Sequence, residues 1–139
     1  QSIGPIWTGD NQASWEHFRA SISMILSLGV AGMPWTGADV GGFFGDPDPE
    51  LLVRWYQVGA LQPFFRAHAH IDTKRREPWL FGEPWMGEMK RAVRLRYRLL
   101  PYIYGLFHQA TLSGVPVNRP LFMEGLDCSD NTDRFMIGD

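Results

Sequence analysis

The sequence predicts a parallel α/β chain, and three observations predict it. Strand, loop and helix follow one another three times, at roughly thirty to forty residues per unit, which is the rhythm of βα repeats. Each loop that follows a predicted strand carries a charged residue beside an aromatic or a glycine, as expected where active sites gather at strand C-terminal ends. Beyond about residue 113 the pattern turns to β segments and turn residues, so a second architecture is expected there. Periodicity alone leaves a (β/α)8 barrel fragment and an open doubly wound sheet both standing.

The elements follow in order. Ile3 to Trp7 is apolar and bounded by glycine, which reads as a buried strand ending at Thr8-Gly9-Asp10-Asn11. From Ser14 to Leu28 the bulky residues Trp15, Phe18, Ile22, Ile25 and Leu26 recur at threes and fours, so one apolar stripe runs along a helix that Gly29 should stop. Val30 to Thr36 reads as the second strand, and the glycine-rich run Gly37 to Gly45 reads as a loop. Asp48-Pro49 opens the next helix as cap and first-turn proline, with Leu51, Leu52, Trp55 and Tyr56 on its buried side.

Gln62 to His68 supplies the third predicted strand, and the charged stretch Asp72 to Pro78 a long loop after it. Met86 to Thr111 reads as a long helix with Val93, Tyr97, Leu100, Tyr104 and Phe107 at helical spacing, kinked by Pro101 and ended by Gly114. Val115 to Met123 then reads as β, and Glu124 to Asp139 as a polar tail with turn residues.

Composition removes several function classes. In 139 residues, 13 basic against 15 acidic side chains leave a net charge of −2, which gives no field for gathering nucleic acid or anionic lipid. The longest mostly apolar stretch, Ile22 to Pro34, is too short to span a bilayer. The single Cys128 makes neither an internal disulfide nor a thiolate metal cage. Six tryptophans suit either a packed core or platforms for sugar rings. No P-loop, dinucleotide fingerprint or Gly-x-Ser-x-Gly elbow occurs. The opening at Gln1 has no basic or apolar leader, and the chain stops in an extended segment at Met136 to Asp139, so a piece of a larger protein is expected.

The residues able to carry chemistry sit in the three loops. Asp10 stands at the end of an apolar strand, beside the Trp7 indole and just before a helix, a setting for acid/base work; the competing reading is that Asp10 or Asn11 caps that helix. Asp39 lies among glycines, where a ligand can approach closely and one carboxylate can accept two sugar hydroxyls; the competing reading is an Asx-turn. Phe43 and Phe44 beyond it are costly on a solvated loop and point to a pocket wall. Arg66, His68 and His70 alternate onto one strand face, and His68-x-His70 followed by Asp72 also keeps a metal-dependent hydrolase open. An aromatic-rich carbohydrate-binding module is a third reading. Lys74-Arg75-Arg76 reads as a solvated loop, and Lys90, Arg91, Arg94, Arg96 and Arg98 mostly as the wet face of a helix.

Three phrases in one order carry a resemblance: Trp7-Thr8-Gly9-Asp10-Asn11, Gly37-Ala38-Asp39-Val40-Gly41-Gly42-Phe43 and Phe64-Phe65-Arg66-Ala67-His68. Together they resemble family 31 of the glycoside hydrolases, the α-glucosidases. The likeness implies the C-terminal part of a (β/α)8 barrel over 1–112, starting at its sixth strand, followed over 113–139 by the start of a β-sandwich domain. It implies that Asp10 is the general acid/base and that Trp7, Asp39, Phe43, Arg66 and His68 bind the terminal glucose, with no cofactor and no metal. The aspartate nucleophile of the family, on a Trp-x-Asp-Met-Asn-Glu motif, is absent here and expected upstream, so the isolated chain should hydrolyse nothing.

Glu50 to Gln57, Gln62 to His70 and Arg75-Arg76-Glu77-Pro78-Trp79 are most similar to family members that trim glucose from N-linked glycans. That likeness implies a retaining exo-α-glucosidase acting on oligosaccharide ends in the endoplasmic reticulum lumen. Its partners would be the rest of the parent chain and a noncatalytic β subunit.

Overall fold

A computed structural model describes residues 4–126 and 134–139. Cys128, Ile3 and the polar tail from 127 to 133 lie outside the described residues. Strand β1 is Ile6–Trp7, helix α1 Trp15–Val30, strand β2 Thr36–Gly37, helix α2 Pro49–Gly59 and helix α3 Trp85–Ser113. Strands β3, Asn118–Pro120, and β4, Phe135–Ile137, close the order, with short 3-10 turns at Pro78–Leu80 and Leu121–Glu124. No helix among the described residues is long and apolar enough to cross a membrane.

β1 and β2 pair in parallel, Ile6 opposite Thr36 and Trp7 opposite Gly37. The third predicted strand lies on the other side of β2 but is not a continuous strand. Its Phe64 N–H donates to Thr36 O at 2.9 Å and its Arg66 carbonyl accepts from Val40 N–H at 3.0 Å, with Asp39 and Arg66 opposite each other. Pro63 has no N–H to donate, which interrupts the ladder at its start. The close approach depends on Gly37, because a Cβ there would stand 2.1 Å from Phe64 O. Three parallel segments thus lie side by side in chain order, with α1 and α2 as the crossovers between them.

α1 begins where Ser14 accepts the His17 N–H on its side chain, so neither Asp10 nor Asn11 caps the helix. Its end differs from the expected stop at Gly29. That glycine is buried inside the helix, a Cβ on it meeting Pro116 at 3.0 Å, and the turn-off comes at Gly32 with φ +87°. Met33 N–H reaches back to Leu28 O and Gly32 N–H to Gly29 O, the paired bonds that terminate a helix through a left-handed residue. Val30 is therefore the last turn of α1, and the predicted strand from Val30 to Thr36 shrinks to Thr36–Gly37.

α2 follows expectation: Asp48 accepts Leu51 N–H at 2.8 Å, Pro49 sits in the first turn, and Leu51, Leu52, Trp55 and Tyr56 are buried. Phe18 of α1, Val40, these α2 residues, and Met89 and Ala92 of α3 form one core. Of the six tryptophans only Trp55 is fully buried, so core packing does not account for the others.

α3 runs through Pro101 to Gly114, whose φ of +76° ends it. The residues that keep the helical period divide: Val93 and Phe107 pack against the core clusters while the rest do not. Met89, Ala92, Ile103, Leu106 and Ala110 face the interior, whereas Tyr97, Leu100 and Tyr104 are exposed. α3 carries two apolar stripes at helical spacing, and only tertiary packing decides which is covered.

After α3, β3 and β4 pair antiparallel, with Asn118 opposite Ile137 and Pro120 opposite Phe135. The predicted β run of 115–123 thus divides into a short strand and a 3-10 turn. Val117 and Ile137 pack on Ile103 and Leu106, and Tyr102 Oη donates to Ile137 O at 2.8 Å.

Candidate active site

The C-terminal ends of the three parallel segments hold the predicted residues. Asp39 is fully buried two residues past the end of β2. Its Oδ1 accepts from Arg66 Nη2 at 2.6 Å and Nε at 3.2 Å. Its Oδ2 is buried with no hydrogen-bond partner in the protein. A buried carboxylate oxygen left so is costly unless a ligand or water completes it. The Asx-turn reading fails, because the side chain of Asp39 bonds across to Arg66 rather than along its own loop.

Arg66 in turn lies over two rings, 5.9 Å from the Trp7 centroid and 5.3 Å from that of Phe64. Trp7, Asp39 and Arg66 therefore form one contiguous group, with the indole half exposed. A flat aromatic face, a charged donor and an orphaned acceptor are the combination that binds a polyhydroxylated ring.

Phe43 and His68 form a second pair, ring centroids 5.5 Å apart and tilted by 34°. Phe43 also meets Phe44 edge-on at 4.7 Å and His70 at 5.6 Å. His70 accepts Asp72 N–H on Nδ1 at 3.3 Å and lies 3.4 Å from the Asp72 carboxylate. Among the described residues no group of three His, Cys, Asp or Glu side chains is placed to hold a metal, so the alternative built on His68 and His70 finds no ligand set.

Asp10 stands apart from these hydrogen bonds, on an exposed loop three residues beyond Trp7. Its neighbour fixes that loop. Asn11 Oδ1 accepts Phe43 N–H at 2.9 Å, and Asn11 O accepts from Phe43 and Phe44 N–H at 2.8 and 2.9 Å. The Asp10 loop and the Asp39–Phe43 loop are thereby clamped together. Gly42, with φ +85°, permits this contact, since a Cβ there would lie 2.5 Å from Ala13 N.

Two arginines depart from the solvent-facing reading of their charge runs. Arg76 is buried, not solvated: Nη1 donates to Gly41 O at 2.9 Å and Gly42 O at 2.8 Å, and Nη2 to Gly45 O at 2.7 Å. Burial pushes its guanidinium below the ordinary arginine value, opposed by Asp46. Left-handed glycines turn their carbonyls away from any regular ladder, and one guanidinium fork satisfies three of them. Arg96 does likewise for the carbonyls of Ala60, Gln62 and Pro63, the turn that leads into the third segment. Arg76→Met is expected to destabilise the protein by about 2 kcal/mol through the unsatisfied carbonyls, measured as a denaturation midpoint shift at unchanged slope.

Comparison with known proteins gives this geometry its context. Residues 1–106 match the family described as the glycosyl hydrolases family 31 TIM-barrel domain. A probable glucan 1,3-alpha-glucosidase of Oryza sativa subsp. japonica is 59% identical over 99% of this chain and 15% of its own length. The crystal structure of the glucosidase II alpha subunit bound to Glc1Man2 superposes with a TM-score of 0.92 at 53% identity, covering 98% of this chain and 15% of that one. A crystal structure of the ER glucosidase II heterodimer, catalytic subunit with the binding domain of the regulatory subunit, gives 0.90 at 52% identity, with 98% and 15% covered. The chain thus spans about 15% of the length of these relatives. Three phrases in order, a parallel α/β core and these likenesses agree: the chain belongs to glycoside hydrolase family 31 and carries part of its TIM-barrel domain.

Proposed function

We propose that this chain supplies the acid/base half of a retaining exo-α-glucosidase site. The observation that carries the reading is the Asp39 carboxylate, fully buried, with one oxygen on Arg66 and the other unpartnered, beside the half-exposed Trp7. In this reading Asp39 and His68 bind hydroxyls of the terminal glucose, Arg66 supports the Asp39 carboxylate, and Trp7 and Phe43 wall the subsite. Residues 1–112 are the last strands and helices of the (β/α)8 barrel, and 113–139 begin a β-sandwich domain.

The chemistry takes two steps. An upstream aspartate attacks the anomeric carbon as Asp10 gives its proton to the leaving oxygen, forming a covalent β-glucosyl enzyme. Asp10, now a carboxylate, takes a proton from water, which attacks the same carbon and releases α-glucose. An exposed Asp10 on a clamped loop suits both roles, because it must meet first the leaving group and then the water.

The likeness to glucosidase II supports an oligosaccharide substrate of the N-glycan type and work in the endoplasmic reticulum lumen. The heterodimeric neighbour supports a noncatalytic β subunit as partner of the parent protein. The test is proton NMR of the full-length protein acting on an α-linked gluco-oligosaccharide. Glucose appearing first as the α anomer is the expected result; β-glucose first, or no glucose, contradicts the proposal.

A further inference from the structure

Asp10 is exposed, but the residue after it is buried, and no step of the proposed reaction uses Asn11. Its side-chain Oδ1 and its carbonyl oxygen both accept the Phe43 N–H, at 2.9 and 2.8 Å, and the carbonyl also accepts the Phe44 N–H at 2.9 Å. We propose that Asn11 is the positioning residue of the acid/base, the side chain that sets where the Asp10 carboxyl stands relative to the leaving oxygen. The inference rests on the glucosidase reading and goes beyond it.

The course of the chain leaves Asn11 this role. β1 ends its ladder where Thr8 N–H donates to Gly37 O at 3.0 Å. Gly9 then turns at φ +87°, with nothing within 4 Å of where a Cβ would stand, so that side of the turn has no neighbour to brace it. Asp10 comes next, and the first anchor beyond it is Asn11. A single hydrogen bond would leave Asn11 a pivot. With main-chain and side-chain oxygens both on one N–H, rotation about its Cα takes one of them off the donor, and hydrogen bonds weaken steeply off axis. Asp10, joined to Asn11 through the peptide bond, is held with it.

The other side of the clamp is fixed independently. Arg76 holds the carbonyls of Gly42 and Gly45 on either side of Phe43 in sequence, and Phe43 O accepts the His70 N–H at 2.9 Å. Asp39 has its own support in Arg66. Loss of the Asn11 side chain should therefore displace Asp10 and leave Phe43 and Asp39 in place. Gln12 N–H on His17 Nδ1 at 3.0 Å and Ala13 N–H on Phe44 O at 2.8 Å keep the following chain attached, so the displacement is local. A misplacement of about 1 Å at a reacting group costs on the order of a hundredfold, and a loop that stays attached should lose less, about tenfold.

The experiment uses the full-length protein and two aryl α-glucosides of nearly equal size. The para-nitrophenolate leaves with little help from an acid, whereas the para-methylphenolate needs the proton of Asp10. Asn11→Leu keeps the volume and removes the acceptor. It is expected to lower kcat/KM about tenfold on the para-methylphenyl glucoside and less than about twofold on the para-nitrophenyl one. Asn11→Asp keeps an acceptor at Oδ1 and gives up only Nδ2, which is buried with no hydrogen-bond partner among the described residues. It should bring the ratio of the two rates back to within about twofold of the unmodified protein. Both rates come from one preparation, so a fraction that fails to fold does not change their ratio. Asn11→Ala replaces Asn11→Leu if the latter gives no folded protein.

Equal losses on the two glucosides, no loss on either, or a ratio in Asn11→Asp as altered as in Asn11→Leu overturn this inference alone. An unmodified protein that cleaves neither glucoside overturns the glucosidase reading and this inference with it.

Discussion

Asp10→Asn in the full-length protein is expected to lower kcat/KM on an α-linked disaccharide by about 10²–10⁴, the range a positioned general acid contributes. Asparagine keeps the shape of the side chain but has no proton to give and cannot take one from water. Stability should hardly change, because Asp10 is exposed and Ser14, not Asp10, caps the helix that follows. The leaving group gives the sharper signature. Fluoride departs without a proton, so formation of the glucosyl enzyme from α-glucosyl fluoride should survive the substitution while its hydrolysis is slowed. Azide attacks without a base, so it should restore turnover and yield α-glucosyl azide.

Asp39→Asn should cost about 3 kcal/mol in transition-state binding, roughly 150-fold in kcat/KM, for a different reason. The amide oxygen can still accept from Arg66, but the position of Oδ2 then holds an N–H donor where a sugar hydroxyl needs an acceptor. The half-buried Arg66 guanidinium also loses its charge partner. The loss should fall on α-glucosyl fluoride as heavily as on a disaccharide, because both place the same glucose on Asp39. Steady-state kinetics on the two substrates check this. A selective loss on the disaccharide would move Asp39 out of the terminal subsite.

Much of this site was legible from residue types in local sequence. Asp39 stands among glycines, and at Gly37 the missing side chain lets the backbone of Phe64 come close. Asp48-Pro49 gave a helix start because cap and first-turn proline act within four residues. Long-range effects were not legible. Arg76 sits in a charge run that resembles solvent-facing sequence, and only the carbonyls of Gly41, Gly42 and Gly45, more than thirty positions away, explain its burial.

Periodicity places α3 but does not choose its buried face. In α3 the spacing of Val93, Tyr97, Leu100, Tyr104 and Phe107 is as helical as that of Met89, Ala92, Ile103, Leu106 and Ala110. The second set faces α2 and the chain after Gly114, and Val93 and Phe107 of the first pack against the same cores. Gly29 misled for a related reason. A glycine near a helix end reads as a stop, yet here its missing side chain makes room for Pro116, and the left-handed turn falls three residues later at Gly32.

The most direct test of the central claim is chemical rescue of the Asp10→Asn full-length protein, followed by NMR of the product. Slow turnover of α-glucosyl fluoride that azide accelerates, with α-glucosyl azide formed, is the predicted result. Disaccharide hydrolysis at close to the unmodified rate, with no response to azide, would contradict the assignment of Asp10 as the group that moves the proton.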